Sequence, residues 1–156
     1  MIPAKNSDLT ITRIFNAPRA LVWKAWTDPQ HIMQWWGPKG FNNSSCAVDL
    51  RVGGVFQLTM CAPDGNTHPC LGIFREIVEP ERIVYDSRAD ENHPCGAGLP
   101  PRSIVTITFV EHSGKTTLTL HTRFDSEARR DAADAVGYSS RWGECLERLE
   151  DFLTHP

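Results

Sequence analysis

The sequence predicts an α+β fold in which a curved antiparallel sheet of about six to seven strands wraps around a long C-terminal helix, with two short helices after the first strand. Three observations carry that reading. Segments alternating apolar and polar residues with period two recur between Leu9 and Phe124, as half-buried strands do. Two proline-opened helical stretches stand between the first of these segments and the rest. The chain then ends in an amphipathic helix, the one element able to cover the dry face of such a sheet.

The elements follow in order. Leu9 and Ile11 alternate with threonines, and then Ile14 and Phe15 stand side by side, which predicts a strand with an irregularity near Arg13. Pro18 suits a helix's first turn, and Leu21, Val22, Ala25 and Trp26 make its apolar face. Asp28 caps and Pro29 opens a second helix that Trp35-Trp36-Gly37-Pro38 stops. On so short a helix Trp35 and Trp36 are not both expected to face inward, and one is expected at a pocket entrance. From Cys46 the period becomes two. Gly53-Gly54 joins Val48–Val52 to Val55–Met60, with Phe56, Leu58 and Met60 on one face. Pro63-Asp64-Gly65 is a turn, and the return strand Cys70–Val78 sets Phe74 on one face with Ile73 and Ile77 on the other. Glu79-Pro80-Glu81 turns into Ile83-Val84-Tyr85, and residues 90–101 read as the longest loop. Around Ser113-Gly114, Val105, Ile107, Phe109, Leu118, Leu120 and Phe124 form a dry face, while His121 sits on the wet one as a surface residue. Asp125-Ser126 caps a closing helix from Glu127 to Leu153, ~40 Å long if continuous, with Gly137 a candidate kink.

That helix suggests where function lies. Trp142, Leu146, Leu149 and Leu153 form a bulky stripe, which continues upstream at the same period as Ser139, Ala135, Ala132 and Ala128. Bulky side chains fill the space under a curled sheet and small ones leave it open, so a cavity is predicted beneath the alanines. The expected lining from the first half of the chain is Trp36, Phe41, Phe56, Leu58 and Met60. From the second half it is Phe74, Tyr85, Val105, Ile107, Leu120, Tyr138 and Trp142. Trp26 and Trp142 read mainly as core.

Composition narrows the function. With 156 residues, one domain over 1–156 is expected. A net charge of -3 offers no basic footprint for nucleic acid or an anionic membrane surface. No apolar run approaches the ~18 residues of a membrane span, and the N-terminus lacks a leader's apolar core, so a cytoplasmic protein is expected. Five cysteines, an odd set, argue for reduced thiols, although Cys61 and Cys70 flank a turn and are candidates to face each other. The steps His68-Pro69-Cys70 and His93-Pro94-Cys95, with Cys46 or Cys61, offer zinc's preferred donors, but their spacing matches no finger and no metal is expected. Gly53-Gly54 lacks the helix and lysine of a phosphate loop, so no nucleotide or other cofactor is expected. For catalysis the candidates are Glu76 and Tyr85: if Glu76 shares the face of Phe74, its carboxylate points into the concave side, where it could serve as general acid or base.

Several motifs together carry a resemblance. They are Ala17-Pro18 with Val22-Trp23, Trp35-Trp36-Gly37-Pro38, Asp49 to Gly54, Pro63-Asp64-Gly65, Glu76 to Arg82, and Gly137 with Trp142 and Leu146 to Leu149. Over nearly its whole length the chain resembles the START and birch-pollen-allergen (SRPBCC) superfamily. Within it, the chain is most similar to the branch homologous to the activator of the heat-shock chaperone's ATPase. The resemblance implies a helix-grip fold, and it brings no shared catalytic signature. The leading expectation is therefore a binding protein for a small lipid-like, aromatic or polyketide-like molecule. An enzyme of the same fold, such as a cyclase, dehydratase or hydrolase, and a chaperone-interaction module are the alternatives. A chaperone or a second copy of the chain stand as further candidate partners.

Overall fold

The alternation read from the sequence becomes a seven-stranded antiparallel sheet in a computed structural model that describes residues 7–88, 102–135 and 137–154. The strands are β1 (Asp8–Phe15), β2 (Asn42–Val48), β3 (Val55–Cys61), β4 (Thr67–Val78), β5 (Arg82–Arg88), β6 (Arg102–His112) and β7 (Lys115–Phe124). They lie side by side in the order β1-β7-β6-β5-β4-β3-β2, so β1 and β2 are the edges. Helices α1 (Arg19–Thr27) and α2 (Pro29–Trp35) come after β1, and α3 (Glu127–Ala135) and α4 (Tyr138–Thr154) close the chain. The sheet curves over α4, whose Leu146 and Leu149 are wholly buried among Leu118, Leu120, Ile107 and Phe15. This is the helix-grip arrangement.

Local chemistry explains the elements. The Asp28 side chain accepts from Gln30 N at 2.9 Å and Pro29 occupies the first turn of α2, so its start is fixed by sequence. Its end is held from two sides. Asn43 Nδ2 donates to the carbonyls of Met33 (3.1 Å) and Trp36 (2.9 Å). Arg148 of α4 places Nη1 within 2.9–3.1 Å of the carbonyls of Trp36, Gly37 and Pro38. These acceptors have no partner within the helix, and the guanidinium also locks α4 to α2. Replacing Arg148 by Met keeps the stem but removes the donor from Gly37 O, while Trp36 O keeps Asn43 and Pro38 O keeps Phe41 N. It is expected to cost about 1–3 kcal/mol in denaturant melts, and an unchanged midpoint would show that the clasp is dispensable.

The structure corrects several expectations. β1 is regular from Asp8↔Arg123 to Phe15↔Thr116. Arg13 faces α4, donating to Gly143 O at 3.3 Å, and Ile14 is 62% exposed. The irregularity inferred from the Ile14-Phe15 pair is therefore an exposed isoleucine. β2 begins at Asn42, earlier than Cys46, with a bulge between Asn43 and Ser45. A second bulge separates Phe74, opposite Tyr85, from Glu76, opposite Val84. The extra residue reverses the alternation, so Ile77 joins the core side with Phe74 while Glu76 turns outward to an ion pair with Arg82. Cys61 pairs in register with Thr67 and Cys70 with Leu58, so the two thiols do not face each other and no disulfide joins them.

The closing helix is two helices. Gly137, at φ 85°, takes the left-handed conformation that ends α3 and resets the helical phase at the start of α4. As a result Ala128, Ala132 and Ala135 are exposed and Ala133 is the buried residue of α3. The predicted hollow beneath the alanine stripe is overturned, because that stripe faces solvent.

At the other end of β1, Asp8 Oδ2 lies 2.8 Å from His121 Nε2, Ser7 Oγ donates to Oδ1 at 3.0 Å, and Arg123 Nε is 3.9 Å away. Burial pulls the Asp8 carboxyl upward, but His121, Ser7 and Arg123 outweigh it and hold the group below its ordinary value. A lowered folded-state pKa stabilises above the unfolded value, about pH 4, and this contribution disappears as pH falls through the folded value. Because the pair is partly exposed, Asp8→Asn is expected to remove at most ~1 kcal/mol at neutral pH and to flatten the acid limb of the stability curve. Urea melts across the acid range check this; equal slopes for both proteins would refute it.

Candidate ligand cavity

Five tryptophans decide where the interior stays loose. Trp23 leaves α1 toward Phe109 of β6, with ring centroids 5.4 Å apart. Trp26, on the same helix, points to the corner between α1 and α2. There it meets Trp35 at 4.7 Å and Trp36 at 5.8 Å, and it stacks on Trp142 of α4 at 6.0 Å. Trp35 and Trp36 are both buried, contrary to expectation, because Trp36 has already left the helix in an extended conformation (ψ 136°) and its side chain no longer follows the helical period. Trp35 Nε1 donates to Ala25 O at 2.9 Å, whereas the buried Nε1 of Trp26 has no hydrogen-bond acceptor among the described residues.

Between this cluster and the sheet lies a partly open cavity. Its helical wall is Trp26, Ile32 and Trp36. Its sheet wall is Val48 of β2, Phe56 and Leu58 of β3, Phe74 of β4, Ile83 and Tyr85 of β5, and Ile107 of β6. Among the described residues no charged side chain is on either wall. The free volume is about 20 Å³, room for roughly one water molecule and far below the ~300–1,000 Å³ of drug-sized pockets. Gly72 shapes the floor: the Phe56 ring lies where a side chain at 72 would begin, with a Cβ there 2.2 Å from the ring. Phe56 in turn meets Tyr85 edge-on at 4.8 Å.

Half of the residues expected to line a pocket meet at this one: Trp36, Phe56, Leu58, Phe74, Tyr85 and Ile107. Val105 and Leu120 are buried in the same core but off the wall. Met60 lies behind Gly37, and Phe41 is half-buried beside His68. Tyr138 belongs to a second, smaller cluster with Phe124 and Ala133, its hydroxyl 2.7 Å from Thr122 Oγ1, and Trp142 touches both clusters. Trp26, Ile32, Val48 and Ile83 were not foreseen on the wall. Ile83 could have been, since it alternates with Tyr85, but Trp26 needed the angle between α1 and α2, which no periodicity encodes.

Burial keeps the interior chemically quiet. It pushes the Tyr85 hydroxyl well above its ordinary value and that of Tyr138 up to about 12, against the Thr122 hydrogen bond. Burial, helped by the Asp28 carboxylate, lifts the Cys46 thiol to about 11. Of the two catalytic candidates, Tyr85 is on the cavity wall and Glu76 is on the outer face with Arg82. Among the described residues no three His, Cys, Asp or Glu side chains are placed to hold a metal, and His93 and Cys95 lie outside those residues.

Residues 16–154 match the model of the family described as Activator of Hsp90 ATPase homolog 1-like protein. The chain belongs to that family. Among solved structures, this AHSA1-like chain is similar to a protein from Nitrosomonas europaea, with 30% identity, a TM-score of 0.84 and coverage of 98% of this chain and 97% of the other. For a protein from Mycobacterium smegmatis the values are 26%, 0.81, 97% and 93%, and for one from Chromobacterium violaceum 30%, 0.74, 94% and 96%. No curated protein matches the sequence. The segment Trp35-Trp36-Gly37-Pro38 has a geometric meaning here, since it carries two buried indoles and the carbonyls clasped by Arg148. The AHSA1-like fold is compatible with ligand binding.

Proposed function

We propose that the chain is a one-domain cytoplasmic protein that binds a small hydrophobic molecule at the tryptophan-walled cavity between α1–α2 and the sheet. The observation that carries this is an aromatic cavity in an AHSA1-like fold, uncharged among the described residues and holding a tryptophan whose buried indole N–H has no acceptor among them. Because the free space is about 20 Å³, the rings around it must move apart to admit a guest. A flat aromatic molecule fits between such rings with less displacement than a branched or lipid-like one. No helix of the described residues is long and apolar enough to cross a membrane. A saturating ligand at about 100 times its Kd adds ~2.7 kcal/mol, several degrees of Tm for a domain of this size. A panel of small aromatic compounds is therefore expected to contain members that raise the melting point by several degrees. A folded sample unmoved by the whole panel would remove the reading.

A protein-interaction role also has support. The family is described by its likeness to a chaperone ATPase activator, and Leu50, Val52 (66%) and Val55 are exposed around the β2–β3 connection. Co-purification with the chaperone, lost on Val52→Asp, is the result expected of that role. Catalysis has less support, since only Tyr85 of its two candidates reaches the cavity.

A further inference from the structure

We infer that the cavity selects an uncharged aromatic molecule bearing a carbonyl-type oxygen, which accepts a hydrogen bond from Trp26 Nε1; this rests on the cavity being the binding site. Trp26 is 5% exposed and lines the cavity, and its buried indole N–H has no acceptor among the described residues, while the neighbouring Trp35 indole is satisfied by Ala25 O. A buried donor left unpaired is a standing cost that a guest oxygen can relieve and a hydrocarbon cannot. The described lining bears no lysine, arginine or histidine, so a carboxylate or phosphate would lose its hydration with no counter-charge. That argues against free fatty acids and for a neutral ketone, aldehyde or ester on an aromatic ring. The other polar groups of the lining, the Trp36 indole and the Tyr85 phenol, are likewise neutral.

Three probes of one shape separate these terms: naphthalene, naphthyl methyl ketone and naphthoate, titrated calorimetrically into the wild type and Trp26→Phe. The wild type is expected to bind the ketone about tenfold more tightly than naphthalene, and naphthoate more weakly than the ketone. In Trp26→Phe the ratio of ketone to naphthalene affinity is expected to shrink to about twofold or less, whichever way the two affinities move together. Should Trp26→Phe fail to fold, the wild type still decides: the ketone, and not naphthalene, must move the Trp26 indole N–H resonance downfield. Equal binding of ketone and naphthalene, or an advantage that persists in Trp26→Phe, overturns the inference while leaving the cavity as a binding site. If none of the three binds the folded wild type, both the inference and the binding site fall.

Discussion

A Gly72→Ala variant is expected to lose about 1–3 kcal/mol of stability and, with it, the capacity to take up an aromatic guest. The backbone at 72 needs no special conformation, so the effect comes from space alone: the new methyl would sit 2.2 Å and 2.4 Å from two carbons of the Phe56 ring. That ring must swing away from the floor, and it lines the cavity. The test is a pair of measurements, a denaturant midpoint and an aromatic-ligand thermal shift. Replacing Phe56 by Leu in the same chain is expected to recover part of the stability by removing the clash. A Gly72→Ala protein as stable and as responsive as the wild type would mean that Phe56 does not lie against the floor.

Leu146→Ala is expected to be the most damaging single truncation considered, at about 2–5 kcal/mol, because the side chain is wholly buried where the sheet closes on α4 and leaves a hole its neighbours cannot refill. Ala128→Ser, one helix earlier, is expected to change stability by no more than ~0.5 kcal/mol, since that position faces solvent. Similar costs at the two positions would restore the continuous stripe that the sequence suggests.

The contrast between these helices shows what the sequence could and could not reveal. Trp142, Leu146 and Leu149 lose so much water-exposed apolar surface on burial that their spacing alone fixes the inward face of α4. Alanines bury too little to fix a face, so extending the stripe through Ala135, Ala132 and Ala128 placed the hollow under residues that point outward. Strand assignment rested on alternation, and it succeeded for β3 and β7, where register is continuous. It failed after Phe74, because a bulge inserts one residue without changing composition, and that put Glu76 on the wrong face. The sheet side of the cavity was legible for the same reason β3 was: Phe56 and Leu58 alternate cleanly. Its helical side depended on Trp36 stepping out of the helix and on Asn43 and Arg148 holding that step, which are contacts between segments far apart in the chain.

Entry of a small aromatic molecule between Trp26, Trp36 and the sheet is tested most directly by following the indole N–H resonances of all five tryptophans while naphthyl methyl ketone is added. Saturable shifts are expected for Trp26 and Trp36, with Trp23, packed away on Phe109, left in place. Shifts that bypass Trp26 and Trp36, or a spectrum that stays still at saturating ligand, would contradict binding at this cavity.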